Sequence, residues 1–196
     1  VVAGREEARL IYLGVSHTLA DDGGKRLVFD IGGGSTEFII GKRFESILTE
    51  SLHMGCVSYR DRYFSNGKIT EGNFRKAVMA ARAEIETIEN TYRKKGWIDA
   101  VGASGTVKAI QNALMENGWY GEAISLPGLY KLRDKVLSFN QLDALDIAGI
   151  KADRRAVLPS GLAILIAIFE QLAIKEVHYS DGAMREGILY DLLGRH

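Results

Sequence analysis

The chain has 196 residues, and its 25 basic and 25 acidic side chains cancel to no formal net charge. Hydrophobic residues make up 46% of it, which is enough for one compact domain or two small lobes. The balanced charge argues against the broad basic surface of a nucleic-acid-binding protein. The longest apolar run, residues 162–169, is too short to span a membrane, and the first residues do not resemble a secretion signal. We therefore expect a cytoplasmic protein that binds neither nucleic acid nor membrane.

The predicted elements alternate between helices and strands. Apolar residues three or four apart predict a helix from Glu6 to about Leu19. Two apolar runs then predict a β-hairpin around residues 27–40, and residues 44–52 predict a third strand. The remaining elements are a short helix at 57–64, a long helix from Thr70 to before Gly96, a strand at 97–101, a helix from Val107, two modest helices within 125–148, an apolar helix at 153–172 broken or entered at Pro159, a strand at 175–179 and a helix at 183–193. This order predicts an α/β fold, a mixed sheet that opens with a β-hairpin and is flanked by helices.

A glycine turn joins the two strands of the hairpin. Glycine can adopt positive φ and lets the backbone come close to an anion, so that consecutive N–H groups point at phosphate oxygens. Two hydroxyl residues follow the glycines and would add donors. The turn matches neither the dinucleotide fingerprint nor the P-loop, and a glycine turn without a ligand is the alternative. The predicted phosphate-binding residues are Gly32, Gly33, Gly34, Ser35 and Thr36.

Acidic residues flank this turn on both sides. Asp30 ends the first strand and Glu37 begins the second. Carboxylate oxygens are the ligands that Mg²⁺ prefers when it bridges phosphate oxygens and keeps several of its waters. The sequence therefore predicts that Asp30 and Glu37 hold Mg²⁺ or another divalent cation. The single cysteine, Cys56, excludes an internal disulfide and a cysteine-rich metal site, and we expect it to pack in the interior.

A second turn of small polar residues follows the strand predicted at 97–101. Its residues lead directly into a helix, whose first N–H groups and dipole favour an anion. A helix cap without a ligand is the alternative. A third small-residue turn, at 180–183, also follows a strand, and ligands of open α/β sheets bind at such strand ends. The candidate phosphate-binding residues of the second turn are Gly102, Ser104, Gly105 and Thr106.

Five motifs together resemble one family, the exopolyphosphatases and guanosine pentaphosphate phosphohydrolases. They are GREEARLI at 4–11, DIGGGSTE at 30–37, MGCV at 54–57, GASGT at 102–106 and SDGAMREG at 180–187. The resemblance implies the actin-like ATPase superfamily, in which two ribonuclease-H-like domains enclose the site. Residues 1–196 resemble the second of these domains. The first domain and the C-terminal helical domains of longer members have no counterpart, so we expect this chain alone to hydrolyse phosphoanhydrides poorly.

The resemblance also implies roles for individual residues. Glu7 falls on the carboxylate that activates water, Asp30 and Glu37 on the cation ligands, and the two turns on the phosphate cradle. From the sequence alone, an acid that the helix dipole favours in a first helical turn is the more ordinary role for Glu7, and the resemblance reverses that ranking. Arg9 and Arg185 could contact phosphate, but surface ion pairs are the more ordinary role for arginines on helices.

The implied activity is removal of the terminal phosphate from guanosine pentaphosphate or from polyphosphate. The segments at 102–107 and 159–169 are more similar to the guanosine pentaphosphate members. The alternatives are a regulatory module that binds the alarmone without turnover and a small-molecule kinase of the same superfamily. A homodimer of the full-length protein is a further expectation.

Overall fold

The computed structural model describes residues 4–194, which form a six-stranded sheet with helices on both faces. The strands are β1 (Lys25–Ile31), β2 (Thr36–Lys42), β3 (Glu45–Leu52), β4 (Asp99–Ala103), β5 (Ile124–Ser125) and β6 (Glu176–Ser180). Their spatial order is β3-β2-β1-β4-β6-β5. The first three are antiparallel neighbours, whereas β4 pairs in parallel with both β1 and β6. The predicted mixed sheet that opens with a hairpin is therefore confirmed.

Seven α-helices accompany the strands in the described part of the chain. They are α1 (Gly4–Thr18), α2 (Cys56–Tyr63), α3 (Glu71–Lys95), α4 (Gly105–Glu116), α5 (Leu126–Leu137), α6 (Leu158–Leu172) and α7 (Met184–Leu193). Local chemistry explains several of their ends. The Thr70 side chain accepts a hydrogen bond from the Asn73 N–H and so caps α3. Gly96, at φ 70°, ends the same helix.

Two segments differ from the sequence prediction. Residues 125–148 contain α5 and one short 3₁₀ turn (Leu142–Ala144) instead of two helices, and the two-residue strand β5 was not predicted. A long-range pairing explains why the second predicted helix is absent. The Ile69 N–H donates to the Asn140 carbonyl and the Leu142 N–H donates to the Gly67 carbonyl. Backbone groups used in this way cannot continue a helix.

The centre of the fold is α6, which packs against α3 and, more lightly, against α2, α4 and α5. Pro159 lies in its first turn, so the apolar segment is entered at this proline after a 3₁₀ turn (Ala152–Val157). The combined stretch Ala152–Leu172 is long and apolar enough to cross a membrane, yet most of its apolar part is buried inside the fold. Its apolar side chains therefore form the core between the sheet and the helices.

The other face of the sheet carries α1, with α7 packed against it. Helices α1 and α7 approach so closely that a Cβ at Gly187 would lie 1.7 Å from the Leu10 carbonyl oxygen. Within the sheet, Asp30 is level with Ala103, and Ala103 is level with Ser180. The carboxyl ends of β1, β4 and β6 therefore align along one edge, and the three small-residue turns leave the sheet side by side.

Candidate active site

Three carboxylates meet at this edge of the sheet. Asp30 on β1 lies directly opposite Glu37 on β2. Glu37 is in turn opposite Ser51 on β3. The start of α1 lies against the same strand, since a Cβ at Gly4 would be 2.8 Å from the Cβ of Ser51. Glu7, in the first turn of α1, lies near the Asp30 and Glu37 pair, since its charge acts on Asp30 and the charge of Glu37 acts on it.

Glu37 is buried, with 1% of its surface exposed. A buried carboxylate is costly unless hydrogen bonds support it. One of its oxygens, Oε1, accepts hydrogen bonds from Ser35 Oγ at 2.7 Å and from Ser51 Oγ at 2.8 Å. Two hydroxyl donors therefore hold the Glu37 side chain in place.

The acids perturb one another. Burial raises the pKa of Asp30 to about 7, and the negative charges of Glu37 and Glu7 add to the effect. Burial, and then the charge of Glu37, also raises the pKa of Glu7. Perturbed carboxylates that cluster at strand ends are typical of catalytic and ion-binding sites. The cluster concentrates negative charge where a cation or a proton is needed to balance it.

A divalent cation fits this cluster as a partly hydrated ion. Within residues 4–194, no group of three or more His, Cys, Asp or Glu side chains is placed to hold a metal ion. Asp30 and Glu37 would supply two carboxylates, and water and substrate oxygens the other ligands, which is the usual arrangement for Mg²⁺. The raised pKa of Asp30 agrees with a position that a cation would neutralise.

The glycine turn is held in place by the first N–H groups of α2. The Gly32 carbonyl accepts a hydrogen bond from the Cys56 N–H at 2.9 Å. The Gly33 carbonyl accepts from the N–H groups of the next two residues, at 2.9 and 3.0 Å. With these carbonyls turned towards α2, the N–H groups of residues 33–35 have no hydrogen-bond partner within residues 4–194. They are the donors that the turn can offer to an anion.

Two details of the turn differ from the sequence prediction. None of its glycines adopts positive φ. The residue that requires glycine is Gly55, because a Cβ there would lie 2.4 Å from the backbone of Gly33 and Gly34. The hydroxyls are also engaged inside the protein, since Thr36 Oγ1 donates to the Met54 carbonyl at 2.7 Å and Ser35 Oγ donates to Glu37. They stabilise the turn, and its free donors are backbone N–H groups.

The second turn begins at a strained serine. Ser104 has φ 132° and ψ 160°, a region that is almost restricted to glycine. Its Oγ accepts a hydrogen bond from the Val107 N–H at 3.3 Å, so the helix cap that the sequence analysis gave as the alternative is present. The N–H groups of Gly105 and Thr106 have no partner within the described residues. The Oγ1 atom of Thr106 is also buried without a partner in this part of the chain.

Arg154 completes this corner, although the sequence analysis did not identify it. Its guanidinium lies over the start of α4, and a Cβ at Gly105 would be 2.1 Å from its terminal nitrogen. No local pattern links positions 105 and 154. Arg9, by contrast, forms the predicted surface ion pairs, to Glu6 at 2.7 Å and to Asp191 at 3.0 Å. Arg185 is exposed on α7.

Solved structures share the fold of this chain. The Ppx/GppA family member from Aquifex aeolicus superposes with a TM-score of 0.84 at 24% identity, covering 100% of this chain and 65% of that one. An exopolyphosphatase from Cytophaga hutchinsonii superposes with a TM-score of 0.84 at 24% identity, covering 99% of this chain and 65% of that one. The ribonuclease-H-like, actin-like fold predicted from the sequence is confirmed.

Sequence relatives are more similar. Over 196 residues the chain is 46% identical to a protein of Aeromonas hydrophila named guanosine-5'-triphosphate,3'-diphosphate pyrophosphatase. It is 47% identical over 193 residues to a protein of the same name from Pseudoalteromonas translucida. The matches cover 100% and 98% of this chain but only 39% and 38% of the relatives. The model of the Ppx/GppA phosphatase family matches residues 1–196, and the chain therefore belongs to that family.

Proposed function

We propose that this chain carries the catalytic carboxylates of an enzyme that hydrolyses a terminal phosphoanhydride. The substrate is guanosine pentaphosphate, converted to guanosine tetraphosphate and phosphate, or the end of a polyphosphate chain. The observation that carries the proposal is the grouping of Glu7, Asp30 and Glu37 beside a turn with three unpaired N–H groups. A cytoplasmic location belongs to the same proposal.

The chemistry needs little covalent work from the protein. Water must be oriented in line with the leaving oxygen, and charge on the phosphoryl oxygens must be balanced. Glu7 can accept the proton of that water, because burial and the charge of Glu37 raise its pKa and so make its carboxylate a stronger base. The N–H groups of Gly33, Gly34 and Ser35 would bind the transferred phosphoryl group.

Asp30 and Glu37 would hold the cation that this family of reactions uses. A bound Mg²⁺ would neutralise charge on phosphate oxygens. Glu37, fixed by two serine hydroxyls, positions its carboxylate before the ion arrives. Asp30 would lose its proton on binding, because its pKa lies at about 7 in the free protein.

The choice of guanosine pentaphosphate rests on the names of two sequence relatives. The two turns and Arg154 offer donors for several phosphate groups, and these are common to both substrates. We propose further that residues 1–196 are the second of two domains, because the relatives are more than twice as long. The chain on its own should then turn over more slowly than the complete protein, since the second wall of the cleft is needed to orient the phosphates. Equal rates of phosphate release for the chain alone and for the complete protein would contradict the assignment of this chain to the second domain.

The decisive experiment exchanges Glu7 for glutamine in the complete protein. We expect Glu7→Gln to lower kcat by about 10²- to 10⁴-fold, the usual contribution of a general base, and to leave nucleotide binding nearly unchanged. Glu6→Gln is the matched control, because Glu6 lies next in the chain but pairs with Arg9 at the surface. Phosphate release from guanosine pentaphosphate and from polyphosphate is the measurement. Equal rates for the two variants would exclude the role given to Glu7.

Assays of the unaltered complete protein separate the hydrolase from the two alternative functions. Binding without phosphate release in the unaltered complete protein would favour a regulatory module that senses the alarmone. Transfer of the phosphate to an added hydroxyl or carboxylate acceptor, instead of to water, would favour a kinase.

A further inference from the structure

Three side chains outside the carboxylate cluster form a small network at the same edge of the sheet. Lys108 lies in the first turn of α4, and its Nζ is 3.8 Å from Asp181 Oδ1. The Tyr179 hydroxyl donates a hydrogen bond to that same oxygen at 2.9 Å. The network connects the start of α4 with the turn that follows β6.

The network is adjacent to the proposed phosphate cradle. The Lys108 N–H donates to the Ser104 carbonyl at 3.1 Å, so the lysine belongs to the turn that leaves Gly105 and Thr106 with unpaired N–H groups. Asp181 follows Ser180, which is level with Ala103 on the neighbouring strand. The Lys108 side chain is thus attached beside the anion-binding end of α4.

The ion pair that holds Lys108 is weak. The two side chains are 56% and 82% exposed, and their atoms are farther apart than in a hydrogen bond. Exposed pairs of this kind contribute little to stability. Asp181 keeps a second partner when the lysine leaves, because the Tyr179 hydroxyl donates a hydrogen bond to it. Burial, and then this hydrogen bond, raises the pKa of Tyr179, so the phenol stays a donor. Lys108 can therefore leave Asp181 at small cost.

A bound polyphosphate group would attract the Lys108 ammonium away from Asp181. The cleft already contains three carboxylates, and a substrate with several negative charges needs cations to enter it. Lys108 is a long, flexible side chain with an ammonium group, which suits a point contact to phosphate. We propose that Lys108 rests on Asp181 in the free protein and moves to the phosphate chain of the bound substrate, so that Asp181 competes weakly with the substrate for the lysine. The inference depends on the proposed phosphohydrolase site.

The test uses the complete protein and inorganic tripolyphosphate as a binding probe, measured by calorimetry, together with kinetics on guanosine pentaphosphate. We expect Lys108→Gln to weaken tripolyphosphate binding and to raise KM by about tenfold, with kcat within about threefold, because one charge-assisted contact is lost. Lys108→Arg should recover most of the affinity. Asp181→Asn should tighten binding by about two- to fivefold, because the lysine is released from a weak competitor. Lys76→Gln, at an exposed position of α3, is the control and should change neither quantity.

The opposite directions of the lysine and aspartate variants are the essential result. A purely structural ion pair predicts that Lys108→Gln and Asp181→Asn weaken binding alike, and that outcome would overturn the inference. Unchanged KM and unchanged tripolyphosphate affinity in Lys108→Gln would overturn it as well. If the unaltered protein binds tripolyphosphate with the expected variant pattern but releases no phosphate, only the hydrolase proposal fails.

Discussion

The two turns that we propose as phosphate-binding expose backbone N–H groups by different means. The turn after β1 contains three glycines, yet none of them has positive φ. The first N–H groups of α2 hold the carbonyls of this turn by hydrogen bonds. The turn after β4 has a serine at φ 132°, and that serine caps the helix that follows. The first turn depends on close contact with another segment, whereas the second depends on local backbone strain.

This contrast indicates where each turn is vulnerable. A turn held by contact fails when the contacting segment is enlarged, even if the turn itself is unchanged. A strained turn responds to the residue that bears the strain. The turns also differ in charge, because Asp30 precedes the first while Ala103 occupies the level position before the second.

The largest effect should come from enlarging the contact to the first turn. In Gly55→Ala the new methyl group would lie 2.4 Å from the backbone of Gly33 and Gly34 and must displace the turn. We expect a loss of about 1–3 kcal/mol in stability and about 100-fold in turnover. Gly34→Ala is the matched control, since a Cβ there meets nothing within 4 Å and φ is not positive, so its stability should stay within about 0.5 kcal/mol. Thermal denaturation and phosphate release measure both, and equal effects of the two variants would contradict the contact model.

A smaller effect on stability should come from the charge of Asp30, which precedes the first turn and has no counterpart before the second. Asp30 has an ordinary pKa of 3.8 when unfolded and about 7 when folded, so the folded state favours the protonated acid. Stability from this group is complete below the unfolded pKa and is lost as the pH rises through 7. Without divalent cations, Asp30→Asn should therefore stabilise the protein at pH 8, by on the order of 2 kcal/mol, and hardly at pH 4.

Urea denaturation in a chelator at both pH values tests this expectation. Asp143→Asn, at an exposed position in a 3₁₀ turn, is the control and should change stability little at either pH. A divalent cation should reverse the sign, because it stabilises only the protein that retains Asp30. An Asp30→Asn effect that is the same at pH 4 and pH 8 would show that burial does not raise the pKa of this acid.

The smallest effect should come from the strained serine. Ser104→Gly removes the strain and loses only a few tenths of a kcal/mol of capping, so a net gain of about 1 kcal/mol is expected. Ser104→Ala keeps the strain and loses the cap, so a loss of about 1 kcal/mol is expected. The melting temperatures of Ser104→Gly and Ser104→Ala, each compared with that of the unaltered protein, measure both changes. Changes of the same sign would show that backbone strain does not distinguish this turn from the first.

Much of the fold could be predicted because its signals are local. The apolar spacing of α3 and its Thr70 cap lie within one segment, and the predicted and observed helices agree. The region at 125–148 was predicted less well, because the backbone of residues 140–142 pairs with residues 67–69 far along the chain. Long-range hydrogen bonds leave no periodic pattern in the sequence.

The sequence by itself determined the chemistry of the first turn. Asp30 and Glu37 face each other because a four-residue turn between two paired strands sets their register, and that register follows from residues close in the chain. Only the tertiary structure decided that Gly55 is the glycine the turn requires, that Arg154 covers Gly105, and that Glu7 reaches the acidic pair. Each of these depends on contact between segments brought together by packing of the core, and van der Waals contact between distant segments is not encoded in any local pattern.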